Sequence, residues 1–341
     1  MKAMILERVR SLSEDADPLV HRDLPEPTPG PGVILIRVAA CGVCHTDLDV
    51  IEGRTPPAHL PLVPGHQAVG RVEACGAGAT RFARGDRVGV AWIGSACGRC
   101  GRCREGRENL CPEFRATGRD LDGGYAEYMV AREDFATLIP GQLRDEEAAP
   151  LLCAGAIGWR ALRLTGMEDG WALGLTGFGA SGHLVLKMVR TRFPRARVYV
   201  FTRTDTEQAF ARDLGADWAG AIDEAPPEPL NAAIDTTPAW QPVVSTLGHL
   251  APGGRLVVNA IRKEEGDKRA LLQLDWPRDL WLEKEIVSVA NITRKDVGEF
   301  LAFAAGADLR PHVEEYPLAE ANRALRDLKG RRIRGAKVLR L

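Results

Sequence analysis

Between Trp171 and Gly182 the chain reads Trp-Ala-Leu-Gly-Leu-Thr-Gly-Phe-Gly-Ala-Ser-Gly, an apolar strand running into a glycine turn and then a helix. Gly177, Gly179 and Gly182 have G-x-G-x-x-G spacing. The first glycine allows a tight turn, the second lets backbone approach a pyrophosphate, and the third lets the helix pack on the strand. The helix amino terminus, Ser181 included, then presents N–H groups to the phosphates. Glycines are common in turns, so the spacing by itself says little. The constraint on the fold comes from the alternation of elements beyond Gly182. The sequence predicts a helix to Phe193, a strand at Val198–Thr202, a helix at Thr206–Leu214, and strands near Ala232–Asp235, Arg255–Ala260 and Glu285–Ala290. Such alternation implies an α/β, doubly wound parallel sheet with right-handed crossovers.

The chain before about residue 150 has another pattern, with strands predicted at Val33–Val38, Ala68–Glu73, Arg87–Ala91 and Tyr125–Val130. Glycine- and proline-dense loops separate them, which points to an irregular, mostly β domain. Asp145-Glu-Glu marks a helix start, followed by an apolar stretch towards Leu164. Further helices are predicted from Thr293 through Phe303 and over Leu318–Lys329, with a last strand, Ala336–Leu341, returning to the first domain. A length of 341 residues accommodates two domains.

Cys97, Cys100, Cys103 and Cys111 form C-x2-C-x2-C-x7-C. Four thiolates so close can surround one tetrahedral zinc and leave no position for water or substrate, which makes a structural site. The flanking Gly- and Arg-rich segment has little to bury, and metal ligation supplies the ordering energy that it lacks. An iron–sulfur cluster is the competing reading; four unliganded thiols in such a cluster are a poor one.

Cys41-Gly-Val-Cys44-His45-Thr46-Asp47, Pro64-Gly65-His66-Gln67 and Cys153 offer a second set of ligands. Two thiolates and an imidazole leave one tetrahedral position open, as catalysis requires. Taken singly, Cys153 reads more readily as a small core residue and His66 as a hydrogen-bonded one. Cys44 is preferred over Cys41 as the first ligand because His45, Thr46 and Asp47 come directly after it.

At the end of the second strand of the parallel sheet a carboxylate binds the adenosine ribose 2′-hydroxyl and repels a 2′-phosphate. Here Thr202 stands there, with Arg203 next to it. Arginine binds phosphate through two parallel hydrogen bonds, so the pair favours NADP(H) over NAD(H), against the plainer reading of a solvated arginine. Basic and acidic residues number 45 and 46, with no long run of either sign. That argues against nucleic acid or a membrane surface as partner. The absence of a signal-like or membrane-length apolar run gives a cytoplasmic expectation. In that reducing compartment the eight cysteines read as ligands or catalytic groups rather than disulfides.

Taken together, GVCHTD, PGH, GDRV, the four-cysteine lobe, GGYAEY, PLLCAG and the glycine loop resemble, in order and spacing, the zinc-containing alcohol dehydrogenases of the medium-chain dehydrogenase/reductase family. The resemblance implies a GroES-like, zinc-binding catalytic domain over residues 1–152 and 291–341 around a Rossmann dinucleotide domain over 153–290. It implies two zinc ions per chain, one held by Cys44, His66 and Cys153 and one by the four-cysteine lobe. It places Thr46 at the first step of a proton relay, His45 near the cofactor pyrophosphate and Asp47 behind the metal. It further implies a small alcohol or aldehyde substrate and a homodimer or homotetramer. The chain departs from the family at three places. Gln67 replaces a glutamate, Asp49 stands where many relatives have a histidine of the outer relay, and Ala154-Gly-Ala-Ile157 replaces a threonine-bearing segment. Metal-free quinone reductases and zinc polyol dehydrogenases share the fold but not this ligand set. A non-catalytic or redox-sensing zinc and nucleotide-binding protein is the alternative from another class.

Overall fold

The computed structural model describes residues 1–330 and 335–341, in two units: Met1–Ala156 with Asn291–Leu341, and Ile157–Ala290. In the first unit β1 (Lys2–Leu6) and β2 (Leu19–Asp23) pair antiparallel. β3 (Val33–Val43) comes next and runs five residues beyond the Val38 expected from sequence. The extra half pairs with the last strand of the chain, a partner distant in sequence that no local pattern announces. Then come α1 (His45–Ile51), β4 (Ala68–Cys75), β5 (Arg87–Val90), β6 (Ile93–Ser95) and α2 (Gly101–Arg104). β7 (Arg115–Ala116), β8 (Tyr128–Arg132) and β9 (Ala136–Leu138) complete the strands before α3 (Asp145–Pro150). The strand expected from Tyr125 therefore starts at Tyr128, because the Gly124 and Tyr125 N–H groups bond to the Gly65 and Pro64 carbonyls instead.

The helix expected from Asp145 to Leu164 is broken. After Pro150 the backbone opens into a π-helical turn, Leu151–Gly155, and α4 (Ala156–Thr165) resumes beyond it. Proline interrupts the regular hydrogen-bond ladder, and wide turns of this kind place side chains a regular helix does not. Cys153 lies on this turn, in the first unit.

The second unit alternates β10 (Ala172–Thr176), α5 (Ala180–Arg192), β11 (Arg197–Phe201), α6 (Asp205–Asp213), β12 (Trp218–Gly220), β13 (Leu230–Asp235), α7 (Gln241–His249), β14 (Leu250–Val258) and β15 (Glu285–Ser288). All pairings are parallel, in the order β12-β11-β10-β13-β14-β15. This is a Rossmann-like sheet. Its order reverses beside β10, and ligands of such sheets bind at the carboxyl ends of the strands where that happens. Every residue of β10 is buried, as expected for a strand covered on both faces. Leu272, Trp276, Trp281 and Leu282 are exposed, as is Ile286 on the edge strand β15.

The chain returns to the first unit through α8 (Arg294–Gly306), β16 (Val313–Pro317), α9 (Ala321–Lys329) and β17 (Ala336–Arg340). Thr293 caps α8 reciprocally with Asp296, as its position predicts. The seven-stranded sheet of this unit runs β16-β17-β3-β4-β5-β9, with β8 on β3. Its core buries Ile34, Ile36, Val72, Val88, Met129 and Leu339.

Candidate metal centres and dinucleotide site

Where β3 ends, Cys44 takes an extended conformation (φ −138°, ψ 173°) and caps α1. Its sulfur accepts the Thr46 N–H at 3.3 Å, and its own N–H donates to Asp47 Oδ2 at 2.9 Å. Cys-His-Thr-Asp thus closes a capping box in which sulfur stands for the usual hydroxyl. His66 comes from the turn before β4. Gly65 there has φ +96°, and a Cβ on it would lie 2.3 Å from the Tyr125 ring. The PGH segment therefore depends on this glycine to sit against GGY.

Cys44 Sγ and Cys153 Sγ each lie 3.3 Å from His66 Nε2, and the three ligand atoms all fall within 4.8 Å of one another. Two thiols and an imidazole are a zinc donor set, and they leave one tetrahedral position without a protein ligand among the described residues. The other imidazole nitrogen, Nδ1, is 3.0 Å from Asp47 Oδ1. Facing a carboxylate, Nδ1 keeps its proton, and Nε2, which faces the two sulfurs, is the nitrogen that ligates a metal once its own proton is displaced. Tyr125, fully buried, donates its hydroxyl to Asp47 Oδ2 at 3.2 Å. Asp47 thus accepts from the Cys44 amide, the His66 ring and the Tyr125 hydroxyl.

Burial works against a charged His66, but Asp47 and Cys44 outweigh it and hold the imidazole pKa up at about 10. The contact with Cys153, then burial, raise the Cys44 thiol. Burial, then Asp47, raise Tyr125, so its hydroxyl stays a donor. Trp92 packs edge-on against His66 with ring centroids 5.0 Å apart. Val50, Leu62, Ala116 and the partly buried Phe114 cluster with Trp92.

Other residues named from sequence fall around this centre. Thr46 is half-buried and His45 exposed. Gln67 is buried, with its side chain over Gly42. Asp49, one turn along α1 from Thr46, is buried and accepts from Arg54 Nε at 2.6 Å. Sequence reasoning singled out neither Arg54 nor Tyr125, although GGYAEY carried a signal for the second. Cys41 is fully buried and is not among the three clustered residues Cys44, His66 and Cys153.

In the lobe, Cys97, Cys100, Cys103 and Cys111 bring their sulfurs within 4.8 Å of one another. Cys97–Cys103 and Cys100–Cys111 are both 3.9 Å apart. The edge of a tetrahedron of sulfurs about 2.3 Å from zinc is roughly 3.8 Å, so the four fit that ion. Backbone N–H groups of Cys100 and Glu113 donate to Cys97 and Cys111 sulfurs, each at 3.3 Å. Amides of Arg99 first, then Cys100, lower the Cys97 pKa to about 7. Burial, then Cys100, push Cys103 up to about 12.

The glycine loop joins β10 to α5. Gly177 has φ +82°, and a Cβ on Gly182 would sit 2.6 Å from the Gly177 carbonyl oxygen. Gly179 precedes α5 without any side-chain cap, which leaves the helix amides unclaimed by side chains. Ser181, in the first turn, accepts weakly from Asn259 Nδ2 at 3.5 Å. These features suit a pyrophosphate. Thr202, buried, directly follows β11; Arg203 beside it is exposed.

The model of the alcohol dehydrogenase GroES-like domain matches residues 30–141. A probable alcohol dehydrogenase of Mycobacterium tuberculosis, AdhA, is 42% identical over 330 residues, which cover 95% of this chain and 93% of that protein. An alcohol dehydrogenase of Geobacillus stearothermophilus is 34% identical over the full length of both chains. Among solved structures, the cobalt- and zinc-bound thermostable alcohol dehydrogenase of Pyrobaculum aerophilum superposes with a TM-score of 0.88 at 25% identity, covering 100% of this chain and 99% of that one. With a relative of 42% identity matched nearly end to end, the chain belongs to the zinc-containing alcohol dehydrogenases of the medium-chain dehydrogenase/reductase family.

Proposed function

We propose that this protein is a zinc-dependent alcohol dehydrogenase and aldehyde reductase that transfers hydride between NADP(H), in preference to NAD(H), and an alcohol/aldehyde pair. The observation that carries the reading is the three-ligand centre of Cys44, His66 and Cys153, with Asp47 fixing the ring of His66. When bound, zinc polarises the substrate oxygen and the nicotinamide accepts or returns hydride. The chain's own groups do the rest. Cys44 and Cys153 supply negative charge, while His66 is held in one tautomer by Asp47. The Thr46 hydroxyl, two residues from Cys44, takes the substrate proton. Asp49 is the next acceptor outward, and the hydrogen bond from Arg54 Nε holds its carboxylate in place. Trp92 and its apolar neighbours keep water from the ligands on their side.

Gly177, Gly179, Ser181 and Gly182 receive the pyrophosphate, His45 approaches it, and Thr202 with Arg203 receives the adenosine ribose end. The dinucleotide domain is proposed over residues 153–290, and the catalytic domain over residues 1–152 with 291–341. The lobe cysteines hold the second zinc as a structural ion. The exposed Leu272, Trp276, Trp281, Leu282 and Ile286 support association into a homodimer or homotetramer. No helix among the described residues is long and apolar enough to cross a membrane. A cytoplasmic address belongs to the same proposal, and cysteines that are all free of disulfides agree with it.

The test combines zinc content per chain with initial rates for benzyl, cinnamyl and short aliphatic aldehydes, using NADPH and NADH in parallel. Two zinc ions and faster turnover with NADPH are expected. One zinc and no turnover with either cofactor would overturn the catalytic assignment.

A further inference from the structure

Thr202-Arg203-Thr204 follow β11 directly, and α6 begins at Asp205. In a sheet wound this way, the adenosine ribose of a dinucleotide meets the carboxyl end of that second strand. Three observations there do not fit a plain phosphate pocket. The Thr202 hydroxyl donates to the Glu207 carboxylate, which reaches back from the first turn of α6 and is only half-exposed. Thr204 caps α6 by accepting the Glu207 N–H at 3.2 Å, and Asp205 and Glu207 place two carboxylates in its first turn. The positive end of α6 is thereby answered by the helix's own side chains. Arg203 is exposed, and its side chain makes no ion pair among the described residues. Residues 203–207 therefore present one exposed cation against two carboxylates, one of them fixed by a buried threonine.

We infer that Glu207 is a specificity-determining residue that opposes Arg203. Its carboxylate stands where a strand-end acid usually stands, although it comes from five residues further along, and it accepts a ribose 2′-hydroxyl while repelling a 2′-phosphate. The consequence is a site that takes both NADP(H) and NAD(H), with Arg203 tilting the balance towards the first and Glu207 limiting the tilt. The inference rests on the proposed dinucleotide function and deepens it.

Glu207→Gln isolates the charge, because glutamine still accepts from Thr202 and the Thr204 cap uses the Glu207 backbone. The probes are 5′-AMP and adenosine 2′,5′-bisphosphate, which differ only in the 2′-phosphate. Their Kd values are measured by calorimetry on the full protein, with melting temperature as a control. For Glu207→Gln the bisphosphate should bind about tenfold tighter, the scale of one charge contact at a partly exposed site, while 5′-AMP changes little. The gain should shrink at high salt. Arg203→Ala should weaken the bisphosphate alone. An unchanged ratio in Glu207→Gln, or an equal shift for both nucleotides, overturns the inference even if Arg203→Ala behaves as expected. A raised ratio in Glu207→Gln with no effect of Arg203→Ala supports Glu207 and removes the role of Arg203. Failure of the unmodified protein to bind either nucleotide overturns both readings.

Discussion

The two sulfur-rich clusters of the first unit are built in opposite ways. The lobe draws its four ligands from residues 97–111, and the chain's own amides support the sulfurs. The three-ligand centre draws on residues 44, 66 and 153, and buried side chains support it: Asp47, Tyr125 and Trp92. A local cluster with amide donors can form wherever its loop lies, and needs the metal to order it. A centre gathered from three distant segments exists only once the sheet has folded, and so its open coordination position can be kept from collapse. The contrast is the one expected if the lobe were to hold a stabilising ion and the three-ligand centre a reacting one, as proposed above.

The largest effects should come from breaking one cluster at a time. Cys44→Ser or Cys153→Ser should abolish turnover and remove one zinc, with the melting temperature near that of the parent. Cys103→Ser should remove the other zinc and lower the melting temperature by roughly 10 °C or more, since a lost structural metal costs several kcal/mol. Zinc analysis, calorimetry and rates on the three variants decide the matter. If Cys103→Ser lost turnover with unchanged melting while Cys44→Ser unfolded, the two roles would have to be exchanged. A chelator sharpens the same contrast. It can join an ion with an open position, so activity should vanish with the first zinc released and thermal stability with the second.

Next in size is Asp47→Asn. Asp47 meets only donors: the Cys44 N–H, the His66 Nδ1–H and the Tyr125 hydroxyl. An amide cannot face all three with oxygen, so either the histidine tautomer or the capping box is lost. Zinc affinity should fall about 10- to 100-fold at this centre, with the lobe zinc retained. Tyr125→Phe removes one of the three donors and leaves His66 in place. It should cost about 1.5–3 kcal/mol of stability and weaken zinc by less than the roughly tenfold minimum expected for a direct partner. Equal losses in both variants would mean that the imidazole contact does not matter.

The lobe was legible in the sequence because its ligands are local and their spacing is itself the geometry. The glycine loop was legible for a similar reason, since a strand, three spaced glycines and a helix are all contiguous. The three-ligand centre was readable only through resemblance, because nothing local ties residue 44 to residues 66 and 153. What escaped was tertiary. The second half of β3 pairs with β17 from the far end of the chain, and the π-turn that presents Cys153 lies in what reads as one helix. Asp49 was expected as an outer proton acceptor, but its ion pair with Arg54 was not, since two charges five residues apart look like ordinary solvated side chains. Glu207 was invisible for the same reason: from sequence the strand end reads Thr202-Arg203, with no acid beside it.

The smallest expected effect concerns what supports Cys153. Glu147 lies in α3, directly before the π-turn, and binds both Arg144 and Arg310. Burial disfavours its charge, but the Arg144 amide, the Arg144 guanidinium and Arg310 outweigh burial and lower its pKa below the usual carboxylate value. A folded pKa below the unfolded one means that the carboxylate stabilises fully at neutral pH. That contribution fades as pH falls through the ordinary carboxylate range, about 4.3. Melting temperature measured from pH 7 to pH 3.5 should therefore fall on the order of a few degrees less steeply in Glu147→Gln than in the parent. The variant should also start lower at pH 7, because glutamine keeps a hydrogen bond but not the charge between two arginines. Parallel curves would show that α3 is anchored by its apolar face alone. The support behind Cys153 would then be as indifferent to acid as packing is, and the contrast with the lobe would rest on Asp47 and Tyr125.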